Sequence, residues 1–271
     1  MDIVKQEVPE EVKELMAQYV SRLQEILLDE ELVGVYVYGS VALGAFCYAT
    51  SDIDFITVTS KRMEEDMQFQ IKKLHKTLSK HKLGKRMDGM YISVADLGKR
   101  NEEIEEYMYC ANGKINIGHW DINAVTWWTL KNQGITVTGL EAKELPFHPS
   151  WSDVQRTMKY NVEKYWSEKI SRPYLFLSGE WVESAIVTMG RIVVTLEQKR
   201  IVSKDEGLQY MMRSSSEKWK PLFWEVGRIR RNAGERRMIS IWRRAKMTRQ
   251  YLVSTIELCK KKLEEKKDVY K

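Results

Sequence analysis

The sequence has few cysteines and few histidines, and both are scattered. The chain holds three cysteines, Cys47, Cys110 and Cys259, whose spacing matches no metal-binding pattern. This spacing excludes a disulfide framework and a structural zinc site, and it predicts free thiols in a reducing cytoplasm. The four histidines form no zinc pattern either.

Long hydrophobic segments are also absent. No apolar run is long enough to span a bilayer. The N-terminus has the pattern of an acidic, polar helix, whereas a signal peptide has a charged segment followed by an apolar one. We therefore expect a cytoplasmic protein that has no membrane partner.

The composition is that of a globular protein. The chain has 271 residues, of which 43% are hydrophobic and 30% are charged, and this length is sufficient to bury sizeable cores. The net charge of +6 favours anionic ligands but specifies none.

Periodicity divides the chain into two parts. Up to residue 139, segments whose apolar residues have helical spacing alternate with short apolar segments that are predicted to be strands. The predicted strands lie at 33–38, 52–57, 88–95, 114–118 and 135–138. Residues 102–112 are predicted to be a short acidic helix or a loop, and Asp121 is predicted to cap the helix that Gly134 ends. The pattern predicts an α+β fold, with a small mixed sheet and flanking helices over residues 1–147.

The second part, residues 148–271, is predicted to be an all-α helical bundle. It follows Pro146 and Pro149, after which only helical periodicity is found. The first helix of the bundle carries an apolar stripe made of Val154, Met158, Val162 and Tyr165. The last helix is a long basic stretch over 235–265.

One stretch of the first part carries chemistry. An apolar strand ends at Gly39-Ser40, and after eleven intervening residues Asp52-Ile53-Asp54 begins the next strand. Gly39 permits close approach to the backbone, and the Ser40 hydroxyl suits a phosphate oxygen. Strand side chains alternate, so Asp52 and Asp54 face the same side and repel each other unless a cation lies between them. The pattern therefore predicts a Mg²⁺ site that also takes substrate phosphates.

This motif, Tyr38-Gly39-Ser40 followed by Ser51-Asp52-Ile53-Asp54, resembles the signature motif of the polymerase-beta-type nucleotidyltransferases. Within that superfamily it is most similar to the aminoglycoside nucleotidyltransferases of the streptomycin/spectinomycin adenylyltransferase branch. The resemblance implies two Mg²⁺ ions, ATP as co-substrate, and a second domain that closes over the nucleotide. It also implies that Ser40 and Ser51 position phosphates.

A third carboxylate is expected in such a site, and Asp88 is the candidate. It opens the third predicted strand, with Met90 and Ile92 on its own face. The family resembled has a glutamate on the matching strand, which acts as the general base. Here the residue is an aspartate, so a role as metal ligand stays open beside the role of base. Asp96 is the weaker alternative for the third carboxylate.

Two cations of the second part extend the resemblance. Arg191 lies on a predicted helix, and Lys204 lies thirteen residues later, in the first turn of the next helix, after Ser203. A lysine at a helix N-terminus is locally unfavourable unless it helps to bind an anion. The family has an arginine and a lysine at this spacing, and they contact the ATP phosphates.

The acceptor pocket is less well specified. Gly118-His119-Trp120 is similar to a Gly-Glu-Trp stretch whose tryptophan lines the antibiotic site, although His119 replaces the glutamate. Glu180 and Glu183 flank Trp181 in the region where the family carries acidic residues. Carboxylates there would pair with the ammonium groups of a polycationic acceptor.

The resulting hypothesis is a magnesium-dependent enzyme. It would transfer AMP from ATP to a hydroxyl of a small molecule, an aminoglycoside-type antibiotic by resemblance, and release pyrophosphate. We expect a monomer. The alternatives are transfer to RNA or protein, and nucleotide binding without turnover. The basic C-terminal region is the feature that supports nucleic acid as a partner. Such a region is, however, more typical of a solvated helix.

Overall fold

The computed structural model describes residues 8–28, 30–120, 122–231 and 236–265. The chain divides into two compact units, Met1–Ser150 and Trp151–Lys271. Within the described ranges no helix combines the length and the apolar character that crossing a membrane requires.

The first unit is an α+β structure, as the sequence predicts. Its strands are β1 (Leu32–Val37), β2 (Ile53–Thr59), β3 (Met87–Ser93), β4 (Tyr107–Ala111), β5 (Lys114–Gly118) and β6 (Ile135–Gly139). Its helices are α1 (Glu10–Gln24), α2 (Gly39–Ala42), α3 (Glu65–Leu78) and α4 (Ala124–Gln133).

The six strands form one mixed sheet with the order β5-β4-β3-β2-β1-β6. Strands β2 and β3 are parallel, and the other neighbours are antiparallel. The parallel pair begins in register, so that Ile53 lies opposite Met87 and Asp54 lies opposite Asp88. Two aspartates of different sequence segments are therefore neighbours at one end of the sheet.

A hydrophobic core lies on each face of this sheet because the strand side chains alternate. One core packs α1 and α3 against strand residues such as Ile53 and Phe55. The other core contains Ile56 from β2 and Met90 from β3. Asp54 and Asp88 belong by alternation to this second face, as the sequence pattern predicts for both residues.

Two local predictions for this unit need correction. Residues 107–111 form strand β4, not the helix or loop expected over 102–112. This strand pairs with β5 across a turn in which Asn112 and Gly113 both have positive φ, 52° and 70°. Asn123 caps α4 by accepting hydrogen bonds from the Val125 and Thr126 amides, while the predicted cap Asp121 lies outside the described residues.

The second unit is helical, as the sequence predicts. Its α-helices are α5 (Trp151–Tyr160), α6 (Ser167–Ile170), α7 (Gly179–Gln198), α8 (Lys204–Ser214), α9 (Lys220–Arg231) and α10 (Ile241–Glu265). Helix α7 is central, because it is buried on most of its circumference and packs against α8, α9 and α10. Glycines allow its close approach to α8: a Cβ on Gly190 would lie 2.8 Å from the Gly207 carbonyl oxygen.

The predicted apolar stripe of the first bundle helix is wrong at its end. Val154, Met158 and Val162 are buried, but Tyr165 is exposed and Trp166 is buried in its place. Residues Asn161–Trp166 form a π-helical segment between α5 and α6. The wider turn of a π-helix moves the inward position by one residue, which a 3.6-residue period does not predict.

Candidate active site

The end of the sheet where β1 stops and β2 and β3 begin brings together three of the predicted site residues, Gly39, Asp54 and Asp88. The chain leaves β1 at Tyr38, whose N–H donates to the Asp54 carbonyl oxygen at 2.9 Å. It then turns at Gly39, which has φ +60°. A Cβ built on Gly39 would lie 1.9 Å from Oδ2 of Asp54. Only glycine therefore fits between this turn and the Asp54 carboxylate.

Ser40 follows in the same turn and has an unusual environment. Its Oγ is buried and has no hydrogen-bond partner among the described residues. A buried hydroxyl without a partner is disfavoured by the loss of its hydration. A polar ligand atom would satisfy this hydroxyl, and a phosphate oxygen has the required acceptor chemistry.

The third predicted carboxylate, Asp88, joins this group through the strand register. It is the partner of Asp54 in the parallel pair, and its Oδ1 accepts the N–H of Asn112. Burial raises the pKa of the Asp88 carboxyl; the Asn112 hydrogen bond opposes this effect, and the negative charge of Asp52 adds to it. Asp88 therefore shares an electrostatic environment with Asp52, and accumulated negative charge of this kind favours binding of a cation.

The donor set limits how a metal would be held. Across the described ranges, no three acidic, histidine or cysteine side chains are grouped closely enough to form a cage made of protein alone. A pair of carboxylates that leaves further positions to phosphate and water is typical of Mg²⁺ in nucleotide enzymes. The aspartates present fit this second arrangement.

Ser51 is held in the loop that precedes β2. Its Oγ accepts the Cys47 N–H at 2.9 Å, and its own N–H donates to the Cys47 carbonyl oxygen at 2.8 Å. These bonds fix the turn immediately before Asp52. The hydroxyl hydrogen of Ser51 is not used in either bond.

Asp96, the alternative third carboxylate, is not part of the group. It lies just after the far end of β3 from Asp88 and is buried. Arg62, Lys99 and Ser93 all bond its carboxylate. These partners make Asp96 a structural anchor of its loop.

Trp120 lies against the same core as Met90. Its ring stacks on Tyr109 of β4, with centroids 4.9 Å apart and planes inclined by 8°. Tyr109 lies opposite Met90 in the strand register, so it shares the sheet face of Asp88. Trp120 and Tyr109 therefore form an aromatic surface on that face. His119 forms a hydrogen bond with the Ile104 carbonyl oxygen.

The candidate residues of the helical unit are placed on two neighbouring helices. Arg191 of α7 donates from Nε to the Val202 carbonyl oxygen at 2.9 Å. This bond holds the segment that leads into α8, of which the exposed Lys204 is the first residue. Ser203 caps α8 by accepting the Glu206 N–H at 3.1 Å.

The two candidate glutamates differ. Glu180 is exposed in the first turn of α7, whereas Glu183 is largely buried and forms an ion pair with Arg230 of α9. Arg230 also pairs with Asp205 at 2.8 Å. Glu183 therefore has a structural role in joining the helices, which competes with the predicted contact to an acceptor.

The chain is similar to known proteins at the level of structure. No family model matches the sequence, and no curated protein matches it. Among solved structures, the chain is similar to the spectinomycin adenyltransferase AAD(9) from Enterococcus faecialis, whose crystal structure contains ATP and spectinomycin. The TM-score is 0.64 at 17% identity, over 90% of this chain and 98% of that one. The chain has a nucleotidyltransferase-like fold.

Two residues of this site were not anticipated from the sequence. Asn112 supplies the N–H that bonds Asp88, and Tyr109 supplies the ring on which Trp120 stacks. Both belong to the β4–β5 hairpin. The Asn112-Gly113 dipeptide was a usable signal, because Asn-Gly is strongly preferred in two-residue hairpin turns.

Proposed function

We propose that this protein transfers a nucleoside monophosphate, AMP from ATP, to a hydroxyl group of a small molecule and releases pyrophosphate. The observation that carries the proposal is the pairing of Asp54 with Asp88 on parallel strands, beside the Gly39–Ser40 turn. The similarity of fold to a spectinomycin adenyltransferase supports it. An aminoglycoside-type antibiotic is the proposed acceptor.

Asp52 and Asp54 would hold Mg²⁺ through hard carboxylate oxygens, and phosphate and water oxygens would complete its coordination. When bound, the metal lowers the pKa of the acceptor hydroxyl and neutralises charge on the departing pyrophosphate. The Gly39 backbone keeps the Asp54 carboxylate in place, because the two are in direct contact. Positioning of this kind accounts for most of the catalysis in phosphoryl transfer.

Asp88 is the proposed general base. The acceptor hydroxyl oxygen forms a bond to the α-phosphorus while the bond between that phosphorus and the β-phosphate oxygen breaks, and the hydroxyl proton moves to Asp88. Asn112 bonds Oδ1 of Asp88, and among the described residues Oδ2 has no hydrogen-bond partner. The second oxygen is thus the one that accepts the proton.

Hydroxyl groups and cations position the triphosphate in this proposal. Ser40 donates its buried hydroxyl to a phosphate oxygen, which satisfies the donor. Ser51 donates the hydrogen that its bonds to Cys47 leave unused. Arg191 and Lys204 neutralise the β- and γ-phosphates, for which a guanidinium and an ammonium are suited.

The acceptor is proposed to contact an aromatic surface and a carboxylate. Trp120, fixed by its stacking on Tyr109, offers a flat apolar face to a sugar or cyclitol ring. Glu180 is exposed and pairs with an ammonium group of the acceptor. Glu183 contributes through its ion pair with Arg230, which fixes the position of α7 relative to α9.

Pyrophosphate release with ATP and Mg²⁺, measured against spectinomycin, streptomycin and other aminoglycosides, tests the proposal. We expect release with at least one acceptor and a loss of about a hundredfold or more in Asp52→Asn and Asp54→Asn. Asp66→Asn is the matched control, since Asp66 is an exposed carboxylate of α3. Full activity in Asp54→Asn would contradict the site assignment. ATP binding without pyrophosphate release for any acceptor would identify a nucleotide-binding module instead.

A further inference from the structure

The helical unit contains a second charged site that the proposed reaction does not use. It is a cavity of about 280 Å³. We call it the arginine cavity, and its lining residues are Leu177, Gly179, Arg228, Ile229, Arg237, Ile241 and Arg244. Three of these seven described residues are arginines, and two of them, Arg228 and Arg244, are largely shielded from solvent, which is unusual for charged side chains.

Arg244 is the most buried of the three. Its exposed fraction is 4%, although it carries a full positive charge. Nη2 donates to the Leu177 carbonyl oxygen at 2.7 Å, but Nε is buried and lacks a hydrogen-bond partner within the described residues. A buried guanidinium with an unused donor is unfavourable, and an acceptor in the adjacent cavity would satisfy it.

Among the described lining residues of the cavity, three are arginines and none is acidic. The acidic partner is Glu225, which is fully buried. Arg228 binds it through two hydrogen bonds, of 3.0 and 2.7 Å, and Nη1 of Arg244 lies 3.6 Å from Oε1 of Glu225. Arg237 is exposed and has no ion-pair partner in the part of the chain that the structure describes. Glu225 is thus shared by Arg228 and Arg244, and Arg237 adds a third guanidinium group to the described lining of the cavity.

The local electrostatics agree with this excess. Burial lowers the pKa of Arg244; Glu225 opposes the effect, while Arg237 and Arg228 lower the pKa further. Two helix N-termini add to the positive potential, because Gly179 is the first residue of α7 and Ile241 is the first residue of α10. The potential, the unused donor and the cavity all favour a bound anion.

We infer that the arginine cavity binds a phosphate-sized oxyanion, either free inorganic phosphate or the phosphoryl group of a small phosphate monoester. Guanidinium groups match the oxygen geometry of phosphate and bind it through paired hydrogen bonds. A volume of about 280 Å³ holds such a ligand, and it lies just below the range of cavities that bind drug-sized molecules. This inference does not depend on the proposed transferase activity.

Isothermal titration calorimetry of the full chain with inorganic phosphate, at low ionic strength, tests the inference. Wild-type protein should bind phosphate at one site, and Arg237→Ala should weaken binding by about tenfold or more, the loss expected for one charge-assisted hydrogen bond. Arg237 suits this test because its exposed side chain makes no ion pair in the described structure, so folding should be unaffected. Absence of saturable binding to wild-type protein would overturn the inference.

Arg236→Ala is the matched control. Arg236 is the preceding exposed arginine and does not line the cavity. Its variant should bind phosphate as the wild type does, and an equal loss in both variants would show general surface attraction and overturn the inference. Arg244→Lys keeps the charge but removes the unused Nε donor, and it should also weaken binding.

Two further titrations distinguish free phosphate from a phosphate monoester, and the arginine cavity from the proposed triphosphate site. AMP that competes with phosphate and binds more tightly would identify a phosphate monoester as the ligand, whereas tighter binding of inorganic phosphate would identify the free ion. Lys204→Ala separates the cavity from the proposed triphosphate site: phosphate binding that survives this change supports the cavity, and binding lost in it overturns the inference. Binding of single-stranded RNA without binding of phosphate would also overturn it.

Discussion

Replacement of Gly39 by alanine isolates the contact on which the candidate site depends. The new Cβ would lie 1.9 Å from Oδ2 of Asp54 and 2.6 Å from its Cγ. Non-bonded carbon and oxygen atoms stay about 3 Å or more apart, so the carboxylate must move by roughly 1.5 Å. A displacement of about 1 Å at a catalytic group lowers the rate about a hundredfold. We therefore expect Gly39→Ala to lose transfer activity by about that factor.

The change also strains the backbone, and a matched variant measures that strain alone. Gly39 has φ +60°, and the exposed Gly44 in the same loop has φ +61°. Alanine in this left-handed region costs about 1–2 kcal/mol at either position. Both variants should therefore lose a similar free energy of unfolding, whereas Gly44→Ala should keep near-normal activity.

Urea unfolding followed by circular dichroism gives the stability of each variant, and pyrophosphate release gives its activity. Wild-type turnover in Gly39→Ala would refute the argument, because the carboxylate would then tolerate displacement. Equal loss of activity in Gly39→Ala and Gly44→Ala would refute it as well, since loop strain alone would then explain the effect.

Three further predictions concern other residues. Burial lowers the pKa of His75 from 6.5 to about 3, so the unfolded chain binds more protons between these values. The free energy of unfolding should then fall as the pH falls through this window, by about 2 kcal/mol at pH 5, and urea titrations should show this slope reduced in His75→Gln. Lys204→Ala should raise the ATP dissociation constant by about tenfold in calorimetry, and an unchanged constant would make Lys204 a surface residue. Trp120→Ala should raise the dissociation constant of the acceptor and leave that of ATP unchanged, and Trp120→Phe should restore part of the affinity because it keeps a ring on Tyr109.

Strand alternation made much of the first unit predictable. The period of two placed Asp54 on one face and Ile53 and Phe55 on the other, and the structure confirms both faces. It also placed Asp88 with Met90. The predicted sheet and helical bundle are present because, in most segments, the hydrophobic pattern fits only one secondary structure that buries the apolar residues.

Other features required information that short sequence windows do not contain. Strand β4 was missed, because acidic residues at 102–106 obscured the alternation that starts at Tyr107. The π-helical segment at Asn161–Trp166 shifted the buried position from Tyr165 to Trp166, and a fixed helical period cannot express such a shift. Asp96 was a reasonable candidate until its ion pairs with Arg62 and Lys99 were known.

The sequence by itself determined the residue types of the candidate site and the face on which each one lies, because both follow from local spacing. Only the tertiary structure decided which segments meet. The register of β2 against β3 brought Asp54 beside Asp88, and the Gly39 turn closed on the Asp54 carboxylate. The Ser40 hydroxyl and Nε of Arg244 are buried without a hydrogen-bond partner in the described part of the chain, and this too is decided by the tertiary structure. Burial and hydrogen bonding depend on residues far apart in the chain, so no local pattern predicts them.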